Sequence, residues 1–72
     1  MSTQKKKLPT LAINIRKYRN EKGLSQDKLS KLANISFNTV TKIEAGDTPN
    51  PTIKTIKKIA DALNISVDSL LI

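Results

Sequence analysis

The sequence predicts an all-α domain of five short helices. Apolar residues recur at helical spacing, a serine, threonine or asparagine precedes each apolar run, and no stretch shows a clear strand pattern. At 72 residues the chain is predicted to form one domain near the lower size limit for independent folding. Because a chain this small buries only about 60% of its unfolded surface, its core must be efficient.

Composition excludes several classes of site. Cysteine and histidine are both absent, so the chain has no disulfide, no thiolate metal site and no imidazole base. We therefore expect no enzymatic activity, no cofactor and no metal. No apolar run approaches the roughly 20 residues of a membrane span, and the first residues do not resemble a signal peptide, so we expect a cytoplasmic protein without membrane contact.

Charge points to a polyanionic partner. Thirteen Lys and Arg against six Asp and Glu give a formal net charge of +7, a strong positive field for a small domain. The alternative is that the charge only maintains solubility. Tyr18 and Phe37 are the only aromatic residues, which argues against stacking of single-stranded bases.

Helix 1 is predicted over roughly residues 11–22, with Thr10 as its N-cap and Gly23 as its stop. Its inner face carries apolar residues at i, i+4 and i+7: Leu11, Ile15 and Tyr18. Helix 2 is predicted to begin at the cap Ser25 and to end at Asn34, which tolerates the left-handed conformation. Its expected inward residues are Leu29, Leu32 and Ala33.

Helix 3 is predicted from the cap Ser36 to about Ala45, with Gly46 ending it. Residues 47–51 form a loop by composition. Helix 4 follows, capped either by Asn50 with a proline at the first helical position or by Thr52. Its expected apolar face is Ile53, Ile56, Ile59, Ala60 and Leu63, and its opposite face carries Lys54, Lys57 and Lys58.

Helix 5 is predicted to begin at the cap Ser66, with Asp68 in its first turn. It carries three apolar residues, Val67, Leu70 and Leu71. Residues 1–7 are expected to be a flexible basic N-terminal arm, and residues 8–72 the folded domain. The lysines Lys5–Lys7 either follow a nucleic-acid duplex or form a disordered tail.

The hinge between helices 2 and 3, Asn34 and Ile35, is too short for an antiparallel hairpin, so the two helices must cross at a large angle. Val40 and Ile43 of helix 3 then face helix 2. The residues left on the outward face are Asn38, Thr41, Lys42 and Ala45. This stripe of mostly short side chains with one cation suits the major groove of DNA, which admits a helix.

Five segments carry a family resemblance: IRKYR at 15–19, GLSQ at 23–26, LSKLANIS at 29–36, TVTKIEAG at 39–46 and PTIKTIKKIADALNISVDSLL at 51–71. The chain resembles the XRE family of phage-repressor and Cro type helix-turn-helix domains. The resemblance implies a compact lambda-repressor-like fold and a DNA-binding transcriptional regulator of the repressor type.

The resemblance also implies site residues. The base-reading positions are Phe37, Asn38, Thr41 and Lys42. The phosphate contacts are Ser25, Gln26, Lys28, Gly46 and Thr48, with Gln26 also bracing helix 3. Arg19 and Glu44 match an ion pair between helices 1 and 3. For Phe37 the alternative is packing onto the edge of the core.

We expect such a domain to act as a homodimer on a palindromic double-stranded operator, because one monomer covers few base pairs. The expected interface is Leu70, Leu71 and Ile72; alternatively, the two leucines complete the core and Ile72 frays. Two other functions remain open: an antitoxin that binds both operator and toxin, and a protein-interaction module that has lost DNA binding.

Overall fold

The computed structural model describes residues 8–72, and within that range the chain forms five α-helices and no strand, which confirms the all-α prediction. The helices are α1 Thr10–Glu21, α2 Gln26–Ala33, α3 Phe37–Glu44, α4 Ile53–Leu63 and α5 Val67–Leu71. None of these helices is long and apolar enough to cross a membrane. The predicted arm, with Lys5–Lys7, lies outside the described residues.

Three of the four connections between helices have the same three-residue pattern. Each ends with a residue of positive φ, an aliphatic residue and a serine: Gly23-Leu24-Ser25, Asn34-Ile35-Ser36 and Asn64-Ile65-Ser66. The first two residues donate their backbone N–H groups to carbonyls of the preceding last turn, as when Leu24 donates to Arg19 across 3.0 Å. This is the hydrogen-bond pattern that stops a helix at a left-handed residue.

The same three residues start the next helix. Each serine hydroxyl accepts a hydrogen bond from the backbone N–H three residues later, at 3.0 to 3.1 Å. The aliphatic residue is partly buried against the core, and the residue five positions after it, Leu29, Val40 or Leu70, is fully buried. Such a pairing around the cap fixes the direction in which a helix begins. The three connections therefore turn the chain within three or four residues.

The other two helix starts differ from this pattern. Thr52 caps α4 by accepting a hydrogen bond from the backbone N–H of Thr55, which decides between the two candidate caps. The prediction that Thr10 caps α1 is wrong. Thr10 is already helical, because the preceding carbonyl of Pro9 accepts the N–H of Ile13, and no side chain caps this end.

The core takes apolar residues from all five helices, with Ile15, Leu29, Ile43, Ile59, Leu63 and Leu70 among those fully buried. The expected inward positions of Leu32 and Ile53 are wrong, since both side chains are exposed. On α2 the small Ser30 is buried instead, so the inner face is turned away from Leu32. Ile53 is the first residue of α4 and precedes the buried turns.

The end of α5 corrects the expected interface. Leu70 is 0% exposed and completes the core, whereas Leu71 and Ile72 are 46% and 88% exposed. The carbonyl of Leu70 also accepts a hydrogen bond from Asn14 Nδ2 of α1 at 2.9 Å. Leu70 therefore cannot belong to a surface that contacts a second chain.

Gly46 ends α3 in a position that only glycine suits. Its φ of +83° is in the left-handed region, and an added Cβ would lie 3.1 Å from Leu8 Cδ2 and 3.2 Å from Pro9 Cδ. The residues that precede α1 therefore pack against the end of α3.

Candidate nucleic-acid interface

A buried carboxylate lies at the C-terminal end of α3. Glu44, the last residue of that helix, is only 1% exposed. Arg19 of α1 donates two hydrogen bonds to it, from Nε to Oε2 at 2.7 Å and from Nη2 to Oε1 at 2.9 Å. Such two-point pairing of a guanidinium with a carboxylate is directional as well as strong. The expected ion pair is thus formed.

Two further side chains complete the group around Glu44. Gln26, the first residue of α2, donates from Nε2 to Glu44 Oε1 at 3.0 Å, so it braces α3 as the resemblance implied. Arg16 Nη2 donates to the backbone carbonyl of Glu44 at 3.0 Å. Sequence reasoning missed Arg16, although its position three residues before Arg19 indicates the same side of α1. Together these contacts join α3 to α1 and α2.

Arg19 is also held by the connection between α1 and α2. Its Nη1 donates to the backbone carbonyl of Leu24 at 2.8 Å, in addition to the two bonds to Glu44. No buried side-chain nitrogen or oxygen within residues 8–72 lacks a hydrogen-bond partner. The cost of burying the charge is therefore offset by a complete set of partners.

This arrangement exposes one face of α3. Val40 and Ile43 are buried in the core beside α2, as predicted. Asn38, Lys42 and Ala45 are exposed, and Thr41 is half-buried. These four positions form the expected outward stripe, in which Lys42 is the single cation and the other three side chains are short.

Phe37 lies at the edge of this stripe and outside the core. It is 50% exposed at the first position of α3. Its chain neighbours Ile35 and Val40 belong to the core or pack against it, whereas Phe37 does not. Half of the ring is therefore exposed on the outward side of α3.

The residues expected to contact phosphate belong to the start of α2 and to the connection that follows α3. Ser25 and Lys28 are exposed at the start of α2, and Gln26 is half-buried there. Thr48 is half-buried in the connection after α3. Gly46 is buried, and its N–H donates to the carbonyl of Ile43 at 3.1 Å, which removes this amide from the candidate phosphate contacts.

Comparisons with known proteins agree with this geometry. The sequence profile of the helix-turn-helix family matches residues 15–70. The chain is 35% identical over 57 residues to the HTH-type transcriptional regulator SinR of Bacillus subtilis (strain 168), and 38% identical over 61 residues to the control protein C.SmaI of Serratia marcescens. These alignments cover 79% and 85% of the chain.

The chain spans about half the length of SinR, 51%, and 71% of C.SmaI. Among solved structures, it is similar to a crystal structure of SinR, the master regulator for biofilm formation, in complex with DNA. The TM-score is 0.83 at 32% identity, and the match covers 86% of this chain and 98% of that one.

We predict that Arg19→Met destabilises the domain by about 3 to 5 kcal/mol, because it leaves the carboxylate of Glu44 buried without its main partner. The double variant Arg19→Met/Glu44→Met should recover most of this loss, since no charge then remains buried. Urea denaturation followed by circular dichroism measures both.

The matched control is the exposed pair Asp27–Lys31 on α2, whose charged atoms are 3.3 Å apart. Lys31→Met should change the stability by no more than about 0.5 kcal/mol. If Arg19→Met lowers the free energy of unfolding no more than Lys31→Met does, the buried pair of Arg19 and Glu44 does not stabilise the fold.

Proposed function

Because the chain belongs to the XRE family of helix-turn-helix proteins, we propose that it is a sequence-specific, double-stranded DNA-binding transcriptional regulator of the repressor type. The observation that supports this most is the outward face of α3, exposed while the opposite face and Glu44 are buried. A cytoplasmic location is part of this proposal and is consistent with the family.

In this proposal α3 enters the major groove and four of its side chains contact base edges. Asn38 can bind the N6 and N7 atoms of adenine with both atoms of its amide, and Lys42 can donate to O6 or N7 of guanine. Thr41 and Phe37 lie beside them on the exposed side of the helix. Base contacts of this kind supply sequence specificity.

Phosphate contacts hold the helix in register. The proposed set is Ser25, Gln26, Lys28 and Thr48. The amide of Gln26 has two hydrogens, and its bond to Glu44 uses one of them, so the other remains for a phosphate oxygen. With about four to six phosphates neutralised per monomer, the logarithm of the binding constant should fall with that of salt at a slope of roughly −4 to −5.

The relatives favour regulation over the two alternative functions. SinR is named a transcriptional regulator and has been crystallised with DNA, and C.SmaI is named a control protein. No feature of residues 8–72 favours a toxin as partner or indicates the loss of DNA binding.

The direct test uses a duplex selected from a random pool by the intact chain. Asn38→Ala and Lys42→Ala should each lower affinity for that duplex by roughly 5- to 100-fold, the range expected for loss of a good base contact. Affinity for unrelated duplexes should change much less. Fluorescence anisotropy at fixed salt measures both.

Lys57→Ala is the control, because Lys57 is an exposed lysine of α4 outside the proposed interface. This substitution should lower the affinity for selected and unrelated duplexes by the same small factor, because Lys57 contributes only to the overall positive electrostatic field. If both α3 variants keep full preference for the selected duplex, α3 does not read the bases.

We further propose that the chain binds its operator as a homodimer. Leu71 and Ile72 of the α5 end are exposed, and so is Ile13, whose neighbour Asn14 is bonded to α5. Three exposed aliphatic residues thus belong to α1 and to the end of α5, two helices that this hydrogen bond joins, and this supports the proposed interface. Two-fold symmetry would then place half-sites about 10 base pairs apart on a palindrome.

We expect Leu71→Glu to abolish self-association and to weaken binding to the full palindrome more than binding to a half-site. Leu32→Glu is the matched control, because Leu32 is about equally exposed but lies on α2. It should leave self-association unchanged. Sedimentation equilibrium measures the association, and a wild-type chain that stays monomeric at high micromolar concentration would contradict the dimer.

A further inference from the structure

The exposed face of α3 consists of two parallel rows of different chemistry. Asn38 and Lys42, four residues apart, form a polar row. Phe37, Thr41 and Ala45, at i, i+4 and i+8, form a second row beside it, which we call the apolar row. Residues four apart on a helix are neighbours on one face, so each row is continuous.

Thr41 belongs to the apolar row because of its hydrogen bond. Its hydroxyl donates to the backbone carbonyl of Asn38 at 2.9 Å, so the hydroxyl hydrogen is already engaged within α3. The side chain then offers a methyl group and a hydroxyl oxygen that can only accept. Thr41 therefore offers a base an apolar contact in place of a donated hydrogen bond.

The other two members are apolar by composition. Phe37 is 50% exposed and is not a member of the core cluster. Ala45 is exposed, and its backbone keeps right-handed helical angles, φ −81° and ψ −7°, so it continues the line of the row past the last helical residue. Three apolar groups thus follow one side of an otherwise polar surface.

We propose that the apolar row contacts thymine methyl groups, so that the half-site carries thymines on one side of α3 and purines opposite the polar row. This inference rests on the proposed function. The thymine C5-methyl is the apolar group among the base-pair features displayed in the major groove. An exposed phenyl ring is unfavourable in water, and a methyl in the groove would cover it.

The test replaces thymidine by deoxyuridine, which lacks only that methyl group. The probe is the duplex selected by the chain, with each thymidine of the half-site replaced in turn. We expect at least one replacement to lower affinity by roughly fourfold, the effect of one buried methyl group. Replacement outside both half-sites should have no effect. The inference would be overturned if the selected half-site contains no thymine, or if no replacement changes the affinity.

Variants of Thr41 test whether this side chain contacts the thymine methyl group. They also distinguish that contact from an effect of deoxyuridine on the shape of the duplex. The readout is the ratio of affinities for the thymidine and deoxyuridine duplexes. Thr41→Ser keeps the hydroxyl and loses the methyl, so the ratio should fall to about one at a single position. Thr41→Val keeps a methyl, so the ratio should persist there. The opposite pattern would mean that the hydroxyl makes the contact, and would overturn the role of Thr41.

The inference and the proposed function fail differently. If the chain prefers a particular duplex and deoxyuridine has no effect, only the apolar row is misassigned. If the chain prefers no duplex over another at any salt concentration, the proposed function fails and the inference fails with it.

Discussion

The buried carboxylate of Glu44 is the constraint on which the rest of the structure depends. A charge that is 1% exposed is tolerated only when its partners are correctly placed. Arg19 and Gln26 can both reach it only when the C-terminal end of α3 lies against α1 and the start of α2. This requirement determines which side of α3 is buried, and consequently which side is available to a ligand.

The repeated connections set the directions of successive helices, and each uses only a few residues. A left-handed residue, an aliphatic residue and a serine end one helix and begin the next at three places in the chain. The aliphatic residue of each also packs against the core. A domain of this size has little surface to bury, so residues that serve both the connection and the core are valuable.

Most of the local structure could be predicted because it depends on neighbouring residues. The caps Ser25, Ser36 and Ser66 and the left-handed stop at Asn34 follow from side-chain chemistry within a few positions. Thr10 was mispredicted because a helix can begin at a residue without a side-chain cap, and the sequence pattern does not distinguish the two cases.

Long-range packing was harder to predict. Leu32 and Ile53 fit the apolar spacing of their helices, yet both are exposed. On α2 the buried residue is Ser30, and on α4 the first buried residue is Ile56. Helical periodicity predicts the buried face of a helix only to within about one residue. The packing of the neighbouring helices determines which residues lie at the middle of that face. The bond of Arg16 to Glu44 spans 28 residues, so the spacing from Arg19 indicates the side of α1 on which Arg16 lies but not its partner.

The most direct test of the account is the chemical-shift change of each backbone amide when the intact chain is titrated with its selected duplex. We expect the largest changes at Asn38, Thr41 and Lys42, with smaller changes at the start of α2. Arg19 should keep its side-chain signal, because its bonds to Glu44 persist in the complex. Changes centred on Lys54, Lys57 and Lys58 of α4, with α3 unaffected, would contradict the claim that Glu44 positions α3 to bind DNA.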